Sequence, residues 1–445
     1  MSLVHDLPTS EVCCFGLWHS CSVNPRPDKV TPGTESHTDG TQKARRSPLR
    51  EANFRRLWSN TVAYMVVANA QRFVFGWFIL DGLNRAERDQ GLAVFALGIP
   101  ALFLTSHAGA WTDRYNRRNI LVITQLSGAV VMAATALLIS SGRATMSLIL
   151  VAAVLAGAAS AVGQPVRSAL VPVLVKRDQL FGAIALNALG MTASMILGPV
   201  AAGLVGKRFG FDGVFWFQAL LLGGGLLFLL RLNVPEHEHL PPKRSIMAET
   251  VDAVRHVHND RSLRTLFLLL IVAGLSVNPA VMVTLQAFVK EDLGRDAGDA
   301  SWLLAMMGIG VAISSVVVMR KGDMANKGAL FQRAMMVGGT STVLMGQTTS
   351  FWQLFPLVLC MGLAGGFYIN MNQGLIQANT PQHLMGRVMG LYTLVQMGLF
   401  PIGALVLGVA AGQVGAGITI SVAAGSALTV VVVTYVRNAE LRRLG

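Results

Sequence analysis

From Trp58 onward the chain repeats one pattern, about 20 mostly apolar residues followed by a short polar break. At 1.5 Å of rise per residue, a helix of that length crosses the ~30 Å hydrocarbon core of a bilayer. The pattern predicts spans near 57–80, 91–111, 119–141, 145–166, 180–206 and 212–231. Six more follow near 263–289, 299–319, 329–349, 353–378, 384–411 and 415–436. Between the two sets, Asn233 to Ser262 breaks the pattern with Pro235, Pro241, Pro242, Lys243 and Arg244. The layout is therefore a tail over 1–52, a six-helix bundle over 53–231, a linker over 232–262, a second six-helix bundle over 263–437 and a short tail over 438–445. The expected fold class is an all-α membrane protein with twelve transmembrane helices in two pseudo-symmetric bundles.

The polar segments differ in kind. Residues 1–52 are rich in Ser, Thr, Pro, His and Arg without periodicity, and are expected to be disordered. Inside the linker, Ile246, Val251, Val254 and Val257 recur mostly every three or four residues with charges between them. That spacing predicts an amphipathic helix lying at the membrane surface and coupling the halves.

Composition narrows the class. Only 13% of residues are charged and 53% are apolar, against roughly 25% charged in an average soluble domain. A disordered chain, a disulfide scaffold and almost any soluble enzyme are excluded. Cys13, Cys14 and Cys21 lie in the tail and Cys360 in an apolar run, without zinc-site spacing, so neither a metal nor a cofactor is expected.

The net charge of +13 would suggest nucleic acid in a soluble protein, but its placement argues otherwise. Of the 36 Lys and Arg residues, 28 fall on the side of the tails and linker, and seven on the other: Arg85, Arg88, Arg143, Lys207, Arg208, Lys290 and Arg295. The positive-inside rule puts both termini in the cytoplasm, and nucleic acid is not an expected partner.

A weak internal repeat links the bundles. Lys176-Arg177-Asp178-Gln179-Leu180-Phe181-Gly182 leads into the fifth span, and Thr380-Pro381-Gln382-His383-Leu384-Met385-Gly386 into the eleventh. Each span then carries a proline in its second half, Pro199 and Pro401. Parallel transporter repeats have this form.

The most specific segment lies between the second and third spans: Gly109-Ala110-Trp111-Thr112-Asp113-Arg114-Tyr115-Asn116-Arg117-Arg118. Gly109 lets two helices approach closely, and Asp113 can accept charge-assisted hydrogen bonds from Arg or cap a helix N-terminus. Such contacts hold two bundles shut at one end and break when that end opens. The segment resembles the G-x-x-x-D-R-x-x-R-R loop of the major facilitator superfamily, with every fixed position present. The resemblance implies a cytoplasmic gate formed by Gly109, Asp113, Arg114, Arg117 and Arg118 against Gly386 and Arg387 at the start of the eleventh span.

In the fifth span Gly182, Gly190 and Gly198 recur every eight residues and run into Gly198-Pro199-Val200-Ala201-Ala202-Gly203. Two helical turns take ~7.2 residues, so these glycines form a smooth groove that drifts slowly around one face. The run, with Gly190, Gly198, Pro199 and Gly203, looks like the G-P-x-x-G-G motif of the superfamily's antiporters, Ala202 replacing one glycine. Plain helix packing is the competing reading. Phe54-Arg55-Arg56-Leu57-Trp58, Gln71-Arg72 and Gly386-Arg387-Val388-Met389-Gly390-Leu391-Tyr392 are similar to the enterobactin-exporter and macrolide-efflux branch.

Arg72 is the one formal charge deep within a span. A charge there either serves a site, which would favour an anionic or carbonyl-rich substrate, or snorkels outward, for example toward Asp81. No Asp or Glu falls in the middle of a span, and the arginine that antiporters often carry within the fourth helix is missing, since Arg143 precedes that span and Arg167 ends it. Asp81 and His107 are the candidates for proton coupling. Asn370, Gln373 and Gln377 share a helix face at i, i+3, i+7. With Asn69, Gln71, Asn187 and Asn278 they are expected either to line a substrate cavity or to act as interhelical hydrogen-bonding glue.

Neither a P-loop nor a nucleophile elbow occurs, so an enzyme is not expected. The expectation is a monomeric secondary transporter of the inner membrane that exports a small amphipathic molecule in exchange for protons. An importer or uniporter on the same fold, and a non-transporting sensor or scaffold, are the alternatives.

Overall fold

The computed structural model describes residues 48–176, 179–234, 246–321 and 326–443. The expected disorder of the tail, its three cysteines, and the proline-rich part of the linker lie outside the described residues, apart from a short turn at Pro48–Arg50.

The first half begins with α1, Ala52–Gly82, whose last turn from Phe78 is π-helical. It continues with α2, Glu87–Arg114, α3, Arg117–Ser140, and α4, Met146–Leu170. A single helical stretch, Leu180–Leu230, then bends at Gly210, where φ is +71°, into α5 (180–209) and α6 (211–230). After the linker helix Ile246–Asn259 come α7, Arg261–Asp292, α8, Ala297–Lys321, and α9, Lys327–Met345. The second half ends with α10, Phe351–Ala378, α11, Met385–Val414, and α12, Ala416–Arg437. Polar caps start three of these helices: Asn116 accepts from the Arg118 amide, Asp260 from the Leu263 amide and Asp296 from the Asp299 amide.

Among the described residues, nine helical segments are long and apolar enough to cross a membrane, one of them being the α5–α6 stretch. With that stretch counted as two helices, α2 and the less apolar α9, which carries Lys327 and Arg333, complete the twelve. Two expected limits move. The fourth span does not end at Arg167 but runs on to Leu170, and the break expected after 206 is the single bend at Gly210.

The two halves repeat one plan. In the first, α1 packs on α5, α2 on α4, and α3 on α4 and α6; in the second, α8 packs on α10, and α9 on α10 and α12. Across the halves α2 meets α11 and α5 meets α8. If α2 corresponds to α8 and α5 to α11, each of these contacts is the counterpart of the other, as the repeat at 176–182 and 380–386 requires.

A closer repeat was not recognised in the sequence. Asp81-Gly82-Leu83-Asn84-Arg85 and Glu291-Asp292-Leu293-Gly294-Arg295 both leave a π turn, at Phe78–Gly82 and Phe288–Asp292. Both reverse direction through a left-handed residue, Asn84 at φ +48° and Gly294 at φ +61°.

The linker helix presents a different face from the one expected. Ala253 and Val257 pack inward with Leu263, Phe267, Phe331 and Val388. Val251 and Val254 face outward instead, and the Ile246 side chain lies outside the described residues. At 100° per residue, 253 and 257 lie about 40° apart on the buried face, 254 lies at its edge and 251 opposite.

Candidate functional site

Close backbone packing joins the halves at the end remote from the linker. A methyl group on Gly91 of α2 would lie 2.6 Å from the Ala404 carbonyl, and one on Gly408 of α11 would lie 2.8 Å from the Gly91 Cα. The seam continues down α2 through Gly98 against Pro401 and Leu102 against Gly398. On the other side Gly203 of α5 abuts Ser301 of α8, and Ile196 abuts Gly308.

Polar contacts close the same end. The Gln90 amide donates to the Val283 carbonyl at 3.1 Å and to Gln286 Oε1 at 3.2 Å. Lys290 donates to the Leu80 carbonyl at the end of α1 and lies 3.7 Å from Asp81. A cation suits that site because the carbonyls of a helix C-terminus carry negative partial charge. Lys290→Met should therefore loosen this end while sparing the fold. A cysteine placed at Gln90 should react with a maleimide several-fold faster in that variant, and an unchanged rate would remove Lys290 from the closure.

Toward the linker the same helix faces part. Stepping seven residues along α11 from Gly408 to Pro401 reaches Leu394, which is 40% exposed. A side chain added at Gly390 or Gly386 would meet nothing within 4 Å. On α5 the step from Gly203 to Ile196 reaches Leu189, 63% exposed, and on α8 the matching face ends at Met319, 72% exposed. A cleft thus runs between the halves from the linker end to the seam.

Arg72 sits at the apex of this cleft. One turn above it on α1, a methyl group on Gly76 would lie 3.1 Å from Gln286 and 3.2 Å from Gln90, so the glutamine closure forms the roof. The Arg72 side chain is exposed, and its Cζ lies 5.8 Å from the ring centroid of Phe400 on α11. Phe400 in turn packs against Val94, Val283 and Ala404, where α2, α7 and α11 converge. One turn below, Asn69 is half-buried and donates back to the Met65 carbonyl at 3.0 Å.

The other expected cavity residues divide. Asn370 and Gln373 are exposed on α10, and Asn370 donates to Ser315 of α8 at 3.1 Å. Asn278 is half-buried beside Pro279 between two π turns of α7. Gln71 is corrected: it is 5% exposed, and its amide points at Met132 Sδ, 3.5 Å away inside the first half. It lies 100° round α1 from Arg72 and turns away from the cleft. Asn187 shares the α1-facing side of α5 with Gly190, Ser194 and Gly198, away from Leu189.

Two expected gate residues have other partners. Arg118 donates through Nε to the Leu229 carbonyl at 3.1 Å and through Nη2 to Leu230. It thus caps α6 within its own half. Arg387 binds Asp252 of the linker helix at 3.0 Å. Arg117 is half-buried and Gly386 exposed. The side chains at His107, Gly109, Asp113 and Arg114 lie outside the described residues, although α2 continues to Arg114.

The expected glycine groove serves two contacts. A methyl group on Gly190 would lie 2.9 Å from Val62, and one on Gly198 would lie 2.7 Å from the Val66 carbonyl, so both pack on α1. Gly203, beyond Pro199, faces the other half. Asp81 lies on the inter-half ion pair.

A buried cluster in the first half was missed. Arg167, 2% exposed, places its Cζ 3.6 Å from the Tyr64 ring centroid and donates to Gln125 at 2.7 Å. Asn60 donates to the same Gln125 oxygen at 2.9 Å and to the Gly225 carbonyl at 2.9 Å. These residues lie on α1, α3, α4 and α6, and no local spacing in the chain connects them. A separate groove of about 580 Å³, lined by Trp58, Val62, Val66, Leu197 and Leu204 among others, is built wholly from the first half and carries no charge. It is not the inter-half cleft.

The sequence profile described as Major Facilitator Superfamily matches residues 57–404. The chain is 26% identical over 353 residues to the multidrug efflux pump Tap of Mycobacterium tuberculosis strain H37Rv, covering 75% of this chain and 81% of that one. It is 25% identical over 377 residues to the staphyloferrin A transporter of Staphylococcus aureus, covering 82% and 91%. The solved nucleoside transporter NupG shares the fold, with a TM-score of 0.70 at 13% identity over 86% of this chain and 98% of that one. A helical membrane architecture in two like halves, a cleft between them, and a profile match across most of the chain lead to one assignment: the chain belongs to the Major Facilitator Superfamily and is a multi-pass transporter of small molecules, with no enzymatic role.

Proposed function

We propose that the protein exports a small amphipathic molecule from the cytoplasm by alternating access, in exchange for protons. The observation that carries this reading is the cleft, sealed by the Gly91–Gly408 seam at one end and parted at Leu394, Leu189 and Met319 at the other. A transporter that works this way needs two states related by rocking one half against the other about a fixed site. The excess of Lys and Arg at the linker end supports an inner-membrane orientation with both termini in the cytoplasm. In that orientation the cleft faces inward, ready to load cargo for export. The multidrug efflux relative supports the same direction. One chain supplies both walls, which supports action as a monomer.

The gate that seals the inner end is assigned to Gly109, Asp113, Arg114 and Arg117 meeting Gly386 and Arg387. While the cleft is open, Asp252 holds Arg387; closure exchanges that exposed pair, worth at most ~1 kcal/mol, for the loop. Asp81, which faces Lys290 across the outer end, is the first candidate proton carrier. His107 is the second candidate carrier.

Expression should lower cellular accumulation of the transported compound, and an uncoupler should restore it. Asp113→Asn should cut efflux severely at unchanged protein level. Accumulation that rises on expression would mean import, and full efflux by Asp113→Asn would remove the loop from the gate.

A further inference from the structure

We propose that the cleft apex is a receptor for an anionic group, so that the molecules carried are amphipathic organic anions. This rests on the transport reading above and names the substrate class of the same site.

The argument begins with a charge that has no counter-charge. Arg72 stands ten residues before the end of α1, well inside the span. No hydrogen bond or ion pair ties it to another described residue, and its guanidinium lies beside the Phe400 ring. The snorkelling alternative would send it along α1 toward Asp81, nine residues and ~13 Å further on. The guanidinium instead reaches across to α11 in the other half, and Asp81 pairs with Lys290.

No carboxylate of the long helices can neutralise it within the cleft. Every acidic residue of α1–α12 falls in the first or last turn of its helix. Arg167, buried within the first half, is turned inward onto Tyr64 and Gln125. The apex therefore presents one open positive charge in a largely apolar setting, where an unpaired ion is costly and a ligand of opposite sign is bound strongly.

The geometry names the chemistry further. The guanidinium is a planar fork of donors that matches a carboxylate, sulfonate or phosphate through two parallel hydrogen bonds. The Phe400 ring beside it offers an apolar face for the body of the same molecule, and Gln286 and Gln90 form a neutral polar roof one turn above. An organic cation finds repulsion here and no carboxylate to hold it. Such a site discriminates by charge sign as well as by shape.

The test uses the purified full-length protein in detergent, with carboxyfluorescein as the anionic probe and ethidium as the cationic one, each followed by fluorescence polarisation. Wild type should bind carboxyfluorescein and not ethidium. Arg72→Gln should weaken carboxyfluorescein binding at least ~tenfold, the loss of a charge-assisted bidentate contact. Arg72→Glu should reverse the preference toward ethidium. The thermal unfolding midpoint should stay at the wild-type value, because the side chain projects into open space.

If Arg72→Gln fails to fold, Arg72→Lys decides: it keeps the charge but not the fork, and should retain anion preference at reduced affinity. Wild type that fails to bind carboxyfluorescein or prefers ethidium, a folded Arg72→Gln that binds as wild type does, or an Arg72→Lys that prefers ethidium would each overturn the proposal. Transport in proteoliposomes separates the two readings. Anion binding with inward movement overturns export and leaves the receptor standing, whereas export of ethidium upholds export and overturns the receptor.

Discussion

Gly91→Leu is expected to abolish transport while leaving the protein folded in the membrane. Even a methyl group at this position would sit 2.6 Å from the Ala404 carbonyl and 3.0 Å from the Gly408 Cα, both backbone atoms that cannot rotate aside. Leucine adds three more carbons to that conflict. Overpacking of a tight interface costs ~1–3 kcal/mol, and more where the obstacle is main chain. In the alternating-access cycle proposed above, the contact exists only while the outer end is shut, so the whole cost falls on one state. A bias of ~3 kcal/mol moves a two-state equilibrium by roughly 150-fold. The protein should be held with its inner end closed, and a cysteine at Leu394 should lose most of its maleimide reactivity. Gly224→Leu in α6 is the matched control, since an added side chain there meets nothing within 4 Å. Full transport by Gly91→Leu with a still reactive position 394 would show that the seam is not part of the cycle.

The second large effect concerns Arg167. Arg167→Ala should destabilise the first half by ~3–5 kcal/mol, whereas Arg167→Met should leave stability unchanged or raise it. The alanine variant removes the guanidinium from the Tyr64 ring, breaks its bond to Gln125 and leaves a large void in a closed interior. Methionine fills much of that space without a charge. It also removes two buried donors, Nε and Nη1, that have no partner among the described residues. Replacing a buried charge by a packed apolar side chain is often neutral or stabilising, while truncating it is not. Thermal unfolding in detergent separates the cases. A methionine variant as unstable as the alanine one would mean that the charge itself holds the four helices together.

How far the chain announced this arrangement depends on what kind of contact made each part. The spans were legible because crossing a bilayer imposes length and apolarity on every one of them, and the basic residues sort by side. Gly109 to Arg118 was legible as a motif, yet Arg118 caps α6 and Arg387 turns to Asp252, so a pattern of residue types did not disclose current partners. The outer closure was not read because Gln90 and Gln286 stand 196 positions apart and each looks like ordinary interhelical glue. Its one local trace, the matching Asp81 to Arg85 and Glu291 to Arg295 segments, was overlooked.

Arg72 stood out because a lone charge within a span is costly wherever it points. Gln71, its neighbour, was placed in the same cavity on composition, and a rotation of 100° sends it into the bundle instead. The cluster of Arg167, Gln125 and Asn60 was hidden for a similar reason. Arg167 lies close enough to the end of α4 to pass for a loop residue, and only the packing of four helices shows it to be buried.

Alternating access is tested most directly by paired distance measurements with spin labels at both ends, in a background free of native cysteines. One pair, Leu189→Cys with Met319→Cys, reports the parted inner end, and Arg88→Cys with Val414→Cys reports the sealed outer end. Lowering the pH on the outer face of proteoliposomes, and then adding cargo, should move the two pairs in opposite directions: whenever the inner distance shortens, the outer one lengthens. Distances that stay fixed, or that shorten and lengthen together, would contradict a transporter that opens one end only by closing the other.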